Sequence, residues 1–159
     1  MRMPFAILTA VLVALAGAGC FGDSDPAALY PTVAITVSSD DGSPSELTVE
    51  VVHLPLQRQQ GLMLRTELDD SAGMLFLFPF SREGGFWMKD TYVPLDIAFI
   101  DADWKVVDVL PGMPLDETLI VPSAGYRYVL EVNQGWFEER GLGVGATISV
   151  AVEDLPMPE

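Results

Sequence analysis

At 159 residues the chain has the length of a single domain with one sizeable core. Its formal net charge of −15 creates a field that repels polyanions and argues against a nucleic-acid partner. A single cysteine excludes an intrachain disulfide and a cysteine-type zinc site, and a single histidine, His53, constrains any histidine-based catalytic machinery.

The N-terminus reads as a secretory signal over residues 1–19. Arg2 precedes the apolar run Phe5–Ala16, and small residues, Gly17-Ala18-Gly19, lead to Cys20. Small residues before a cysteine resemble a bacterial lipobox, which makes Cys20 the lipidation site; Gly17 departs from the leucine usual there. Ordinary secretion and a retained anchor are the alternatives, and all three place the domain outside the cytoplasm. Loss of Arg2 with the leader leaves 7 − 23 = −16 on the mature chain. Residues 20–31 lack periodicity and read as a flexible tether.

A β-rich domain is expected over 32–153. Val33, Ile35 and Val37 alternate with Thr32, Ala34 and Thr36, and Leu47–His53 alternates again after an Asp-Gly-Ser-Pro turn, so these two segments predict a hairpin. Pro55 suits a first helical turn, and the residues after it favour helix. A helix running to Arg65 would align Arg58, Leu62 and Arg65, whereas Gly61 can end it early. Gly73–Phe78 is wholly apolar and predicts a buried strand ended by Pro79. Ser81–Gly85 is a turn into the densest aromatic, sulfur and charged cluster, Phe86-Trp87-Met88-Lys89.

Beyond Pro94, Leu95, Ile97 and Phe99 fall on one strand face and Asp96, Ala98 and Ile100 on the other. Lys105–Leu110 is the next strand, so Gly73–Leu110 reads as a meander. A long loop follows, with Leu119-Ile120-Val121 as a short edge strand, and then a strand over Tyr126–Val132. Asn133 is placed to cap a short helix over Gln134–Arg140 closed by Gly141. Thr147–Val152 is the last strand, and 154–159 is expected to fray.

Four segments carry a family resemblance. They are Arg58-x-x-Gly61-Leu62-Met63-x-Arg65-x-x-Leu68, Gly73-Met74-Leu75-Phe76-x-Phe78, Phe86-Trp87-Met88-Lys89-x-Thr91-x-x-Pro94-Leu95-Asp96-Ile97-x-Phe99 and Val129-Leu130-Glu131-x-x-x-Gly135. In that order, from about Val49 to Val152, they resemble the domain of unknown function 192 family. Asp90 departs from the family's usual asparagine, exchanging an amide for an acceptor-only carboxylate beside Lys89. The resemblance implies a mostly antiparallel sheet curled toward a barrel with one or two short helices, and implies no activity. The fold class expected is therefore α+β, predominantly antiparallel.

Three chemistries compete for the site. Arg58, Arg65 and Lys89 converging with Trp87, Tyr92 and Asp96 would bind a small anionic or sugar-like ligand, because guanidinium groups match carboxylate or phosphate and an indole offers a stacking face. Pairs such as Lys89–Asp96, or arginine with glutamate, would instead lock the fold, with Glu131 as a further partner. His53, Met63, Met74 and Met88 suit Cu(I), although methionine is ordinary core filler. Hydrolysis would need a pair such as Asp96 and Asp101, whose spacing puts them on opposite strand faces, or a base for Ser123, which has none evident. The reading is a membrane-tethered, extracytoplasmic binding or accessory domain. Arg58, Arg65, Trp87, Lys89 and Asp96 form its ligand site, no cofactor or metal is assigned, and the partners are the membrane and a small-molecule or cell-surface ligand, not nucleic acid.

Overall fold

The computed structural model describes residues 29–40 and 43–156. The signal, Cys20, most of the tether and the last three residues lie outside that range. The elements are β1 (Thr32–Ser38), β2 (Ser45–Val52), α1 (Pro55–Gln60), β3 (Ala72–Arg82), β4 (Leu95–Ile100), β5 (Val106–Gly112), β6 (Tyr126–Asn133), α2 (Trp136–Glu139) and β7 (Thr147–Val150), with a 3₁₀ turn over Val152–Asp154. The strands form one sheet in the order β5-β4-β6-β3-β2-β1-β7. It is mostly antiparallel and curls into a barrel-like half-shell. Its two ends meet at one corner, where Ile148 N–H donates to the Trp104 carbonyl at 2.9 Å and Val106 N–H to that of Ala146 at 2.8 Å.

Two apolar clusters sit on opposite faces of the sheet. The inner one takes residues from all seven strands, among them Ile35, Val49, Leu75, Ala98, Val106, Leu130 and Ile148, and α2 adds Trp136 and Phe137. The other gathers Met74, Phe76, Phe78, Leu95, Ile97, Phe99 and Val129 beneath Leu62, Met88 and Val93 from the connections. The alternation in β4 comes out as expected, with Leu95, Ile97 and Phe99 on the outer face and Ala98 and Ile100 on the inner one. Burying each large side chain contributes about 1.5–3 kcal/mol, so a strand apolar on both faces is stable only if both are covered.

The β1–β2 hairpin forms in antiparallel register. The meander does not. β3 pairs parallel with β2 and antiparallel with β6, and β6 lies between β3 and β4. A parallel pair needs a crossover rather than a tight turn, and α1 with the loop after it supplies that crossover. Pro79 does not end β3, because the register shifts between Leu77 and Arg82 and the strand resumes. Leu119–Val121 reduces to a single bridge between Ile120 and Phe86.

α1 ends at Gln60, with Gly61 at φ 49° bonding back to the Gln57 carbonyl. Arg58 and Arg65 therefore share no helical face. Asn133 is not the cap of α2. Its Nδ2 donates to the Leu68 carbonyl at 2.9 Å, and Gly135 at φ 89° turns the chain into the helix.

Gly73 marks the tightest approach between strands. A Cβ there would stand 2.8 Å from the Glu131 carbonyl and 3.1 Å from Val132 Cγ1, and backbone cannot move aside as a side chain does. Gly73→Ala is expected to lower unfolding free energy by about 1–3 kcal/mol, read by urea denaturation. An unchanged midpoint would show that β3 and β6 are not packed this closely.

Candidate functional site

α1 is fastened to the sheet from both ends. Gln57 Oε1 accepts from His53 N–H at 3.2 Å and Leu54 N–H at 3.1 Å, which fixes the entry to the helix. The next residue, Arg58, donates to the His53 carbonyl and, at 2.9 Å, to the Leu77 carbonyl in β3. The Arg58 guanidinium lies 4.9 Å from the Phe78 ring centroid and that of Arg82 lies 4.6 Å from it, so two cations share one aromatic ring. Burial, and secondarily repulsion by Arg82, lowers the Arg58 pKa from its usual value.

Between α1 and the outer face lies a cavity of about 280 Å³. Arg58, Arg82 and Trp87 flank it, Phe78 and Thr91 line it, and Glu131 of β6 reaches it from the sheet. Tyr126 stands beside it, donating its hydroxyl to the Gly84 carbonyl at 2.8 Å. Burial raises the Tyr126 pKa, and Arg82 works against that shift.

Glu131 is the unusual group. It is 5 % exposed, and no hydrogen bond or ion pair holds it among the described residues. Burial alone pushes its carboxyl up to about 8, so near neutrality it is mostly the protonated acid, able to donate as well as accept.

The expected site residues divide three ways. Arg58 and Trp87 line the cavity. Lys89 lies in the adjoining recess with Leu56, Met63, Leu64 and Trp87, its Nζ 5.5 Å from the Trp87 ring centroid. Arg65 and Asp96 are placed elsewhere. Arg65 pairs with Glu50 at 2.5 Å, and Glu50 also accepts from the backbone N–H groups of Leu29 and Tyr30. Asp96 Oδ2 accepts from Gly135 N–H at 3.1 Å and Phe137 N–H at 3.3 Å, which makes it the carboxylate that starts α2. Lys89 and Asp96 are not partners among the described ion pairs.

The other candidates have structural surroundings. Met74 and Met88 are enclosed in the outer cluster, while Met63 lines the cavity. Asp101 caps its own turn, accepting from Asp103 and Lys105 N–H at 2.9 Å each. Among the described residues no group of three His, Cys, Asp or Glu side chains stands close enough to hold a metal. Sequence reasoning passed over Arg82, taken as a turn residue, and gave Glu131 only a pairing role. A lone carboxylate between Leu130 and Val132 was the available signal for the second.

Residues 36–150 match the DUF192 family, described as "Uncharacterized ACR". The chain belongs to that family. Its DUF192 domain is similar to a solved structure from Sinorhizobium meliloti 1021 whose provisional description is a transcription regulator. That likeness has a TM-score of 0.74 at 34% identity, over 79% of this chain and 97% of the other. It is also similar to a protein of unknown function from Novosphingobium aromaticivorans DSM 12444, with a TM-score of 0.74 at 31% identity, over 79% and 89%. None of the curated proteins compared matches the chain. Neither the family nor these structures assign an activity.

Two substitutions separate the roles of the buried carboxylates. Glu131 holds its proton in the folded chain up to about pH 8, whereas the unfolded carboxyl loses it near its ordinary value of 4.5. Its contribution to stability is thus fully present below 4.5 and is lost as pH rises through 8, at up to ~1.4 kcal/mol per pH unit. Glu131→Gln should flatten that loss, and denaturation midpoints across the window will show whether it does. Arg65→Ala, which strands Glu50 without its cation, is expected to cost on the order of 3 kcal/mol at neutral pH. A cost below about 1 kcal/mol would mean the pair behaves as an exposed one.

Proposed function

We propose that this DUF192 protein is a membrane-tethered, extracytoplasmic binding domain, and that the cavity beside α1 takes a small anionic or sugar-like ligand. The observation that carries the reading is the placing, around one cavity, of two guanidinium groups and a buried carboxyl that has no partner among the described residues. Like charges flanking one ring repel, and an anion beside Arg82 offsets that repulsion while accepting the donors of its guanidinium. Arg82 and Lys89 pair with no carboxylate among the described residues, unlike Arg65 and Arg140. Among the described residues a structural ion pair therefore accounts for Arg65 and Arg140 but not for Arg82 or Lys89. Trp87 adds a half-exposed stacking face at the mouth, as hydroxylated rings require.

The membrane-tethered reading rests on the signal-like run and on Cys20. The transcription-regulator description of the Sinorhizobium protein is not extended to this chain, because a net charge of −15 repels nucleic acid.

The test is mass spectrometry of the full chain purified from membranes, reading acylation of Cys20 and any small anion retained under native conditions. Arg82 is exposed, so Arg82→Ala should leave the fold intact. It should weaken retention about tenfold or more, the worth of one charge-assisted hydrogen bond of ~1.5–3 kcal/mol. A retained anion indifferent to Arg82→Ala, or none at all, would count against the cavity, and an unmodified Cys20 against the tether.

A further inference from the structure

Beside the cavity the surface turns apolar. Leu56 is 79% exposed and Leu64 71%, and with Met63, Trp87 and Lys89 they line one recess. Two backbone bonds extend the patch, Leu64 N–H to the Asp90 carbonyl at 2.8 Å and Leu115 N–H to that of Thr91 at 3.0 Å. They bring in Leu115 and Tyr92, which are also exposed. Leu64 and Leu115 stand at φ 66° and 64°, a conformation that disfavours residues with a bulky Cβ substituent. A leucine held there with its side chain in water gains neither from its backbone nor from its burial.

The chain itself indicates what covers the patch. The described residues begin at Leu29, whose N–H is bonded to Glu50 at 2.9 Å, and Glu50 is paired with Arg65, the residue after Leu64. The tether thus joins the domain beside the patch. Cys20 lies nine residues before Leu29, a length that spans at most ~30 Å. Leucine around tryptophan, tyrosine and a lysine is the composition that settles at a bilayer interface.

We propose that Leu56, Leu64, Trp87, Tyr92 and Leu115 seat the domain on the bilayer surface, with the cavity mouth held at headgroup level. The proposal rests on the membrane-tethered reading above. Asp90 lines the recess and Asp116 and Glu117 stand exposed close by. The contact is therefore with the acyl–headgroup boundary of an uncharged membrane, and anionic lipid would oppose it rather than drive it.

The experiment uses the full acylated chain in phosphatidylcholine vesicles, with and without brominated acyl chains. Trp136 is buried and Trp104 is stacked on Tyr128 at 3.9 Å, so Trp87 is the indole the bromine can reach. The emission lost in Trp87→Phe isolates its signal. That component should fall by about half in brominated vesicles and be unchanged when salt rises about tenfold. It should recover in the double variant Leu56→Asp, Leu64→Asp. Both positions are exposed, and aspartate tolerates positive φ, so the fold is kept. Far-UV circular dichroism checks it, and Leu56→Ser with Leu64→Asn repeats the test if it is lost.

Protein that floats with the vesicles while Trp87 stays unquenched overturns the docking and leaves the tether reading standing. Quenching that survives the double variant, or that salt abolishes, also overturns it. A change in Trp87 emission that tracks protein density at constant lipid assigns the patch to a second copy instead. Failure to float removes the tether reading and the docking together.

Discussion

Strands β3, β4 and β6 are apolar on both faces, and this decides where the rest of the chain must run. A curled sheet covers its own inner face, because residues from opposite sides of the curl meet. The outer face has no such recourse. It is roofed by the β2–β3 and β3–β4 connections, which bring Leu62, Met88 and Val93 down onto it. Phe86 sits at the centre of that roof, edge-on to Phe76 at 5.2 Å and to Phe99 at 5.8 Å. The cavity is the part of the outer face that this roof leaves open beside α1. Its position follows from packing before any chemistry is considered.

The buried charges show how selective this construction is. Glu50 has Arg65 and two backbone amides, and Asp96 has the two amides that begin α2. Each has a partner matched to an acceptor-only group. Glu131 is buried with no partner among the described residues, and burial keeps it protonated near neutrality. A glutamine or leucine would be a cheaper occupant of that strand position. Proteins tend to carry such local inconsistencies where a site needs them, and this one faces the cavity that also holds two guanidinium groups.

Much of the strand content was legible because polar and apolar residues trade places on a period of two in β1 and β2, and because β4, apolar on both faces, is a short run bounded by turn residues. The pairing was not legible. β3 reads as a buried run, and nothing in such a run says which neighbours it takes or that β6 will insert beside it. Helix ends were misread where a side chain distant in sequence did the capping. Asp96 lies 39 residues before Gly135, and no local pattern links them. The site shows the same division. Arg58 and Trp87 could be picked from their motifs, whereas Arg65 and Asp96 were drawn to structural duties by Glu50 and by the amides of α2. Arg82 became visible only when the shifted register beyond Pro79 carried it back to Phe78.

Trp87 is shared by the cavity and the apolar recess, which ties the two features mechanically. It is 41% exposed, and its neighbours in sequence point the other way, Phe86 into the aromatic cluster and Met88 into the core. The backbone on either side is held by the Phe86–Ile120 bridge and by Met88 N–H bonding to the Asp116 carbonyl at 2.8 Å. An indole fixed on both flanks cannot turn inward to bury itself, so its exposure is imposed by packing and is not an accident of a loose loop. Whatever meets its outer surface also bears on the mouth beside Arg82. A ligand entering the cavity and a surface covering the patch would thus contact the same residue. Occupancy of one can then alter access to the other through a single rigid side chain, without movement of the sheet.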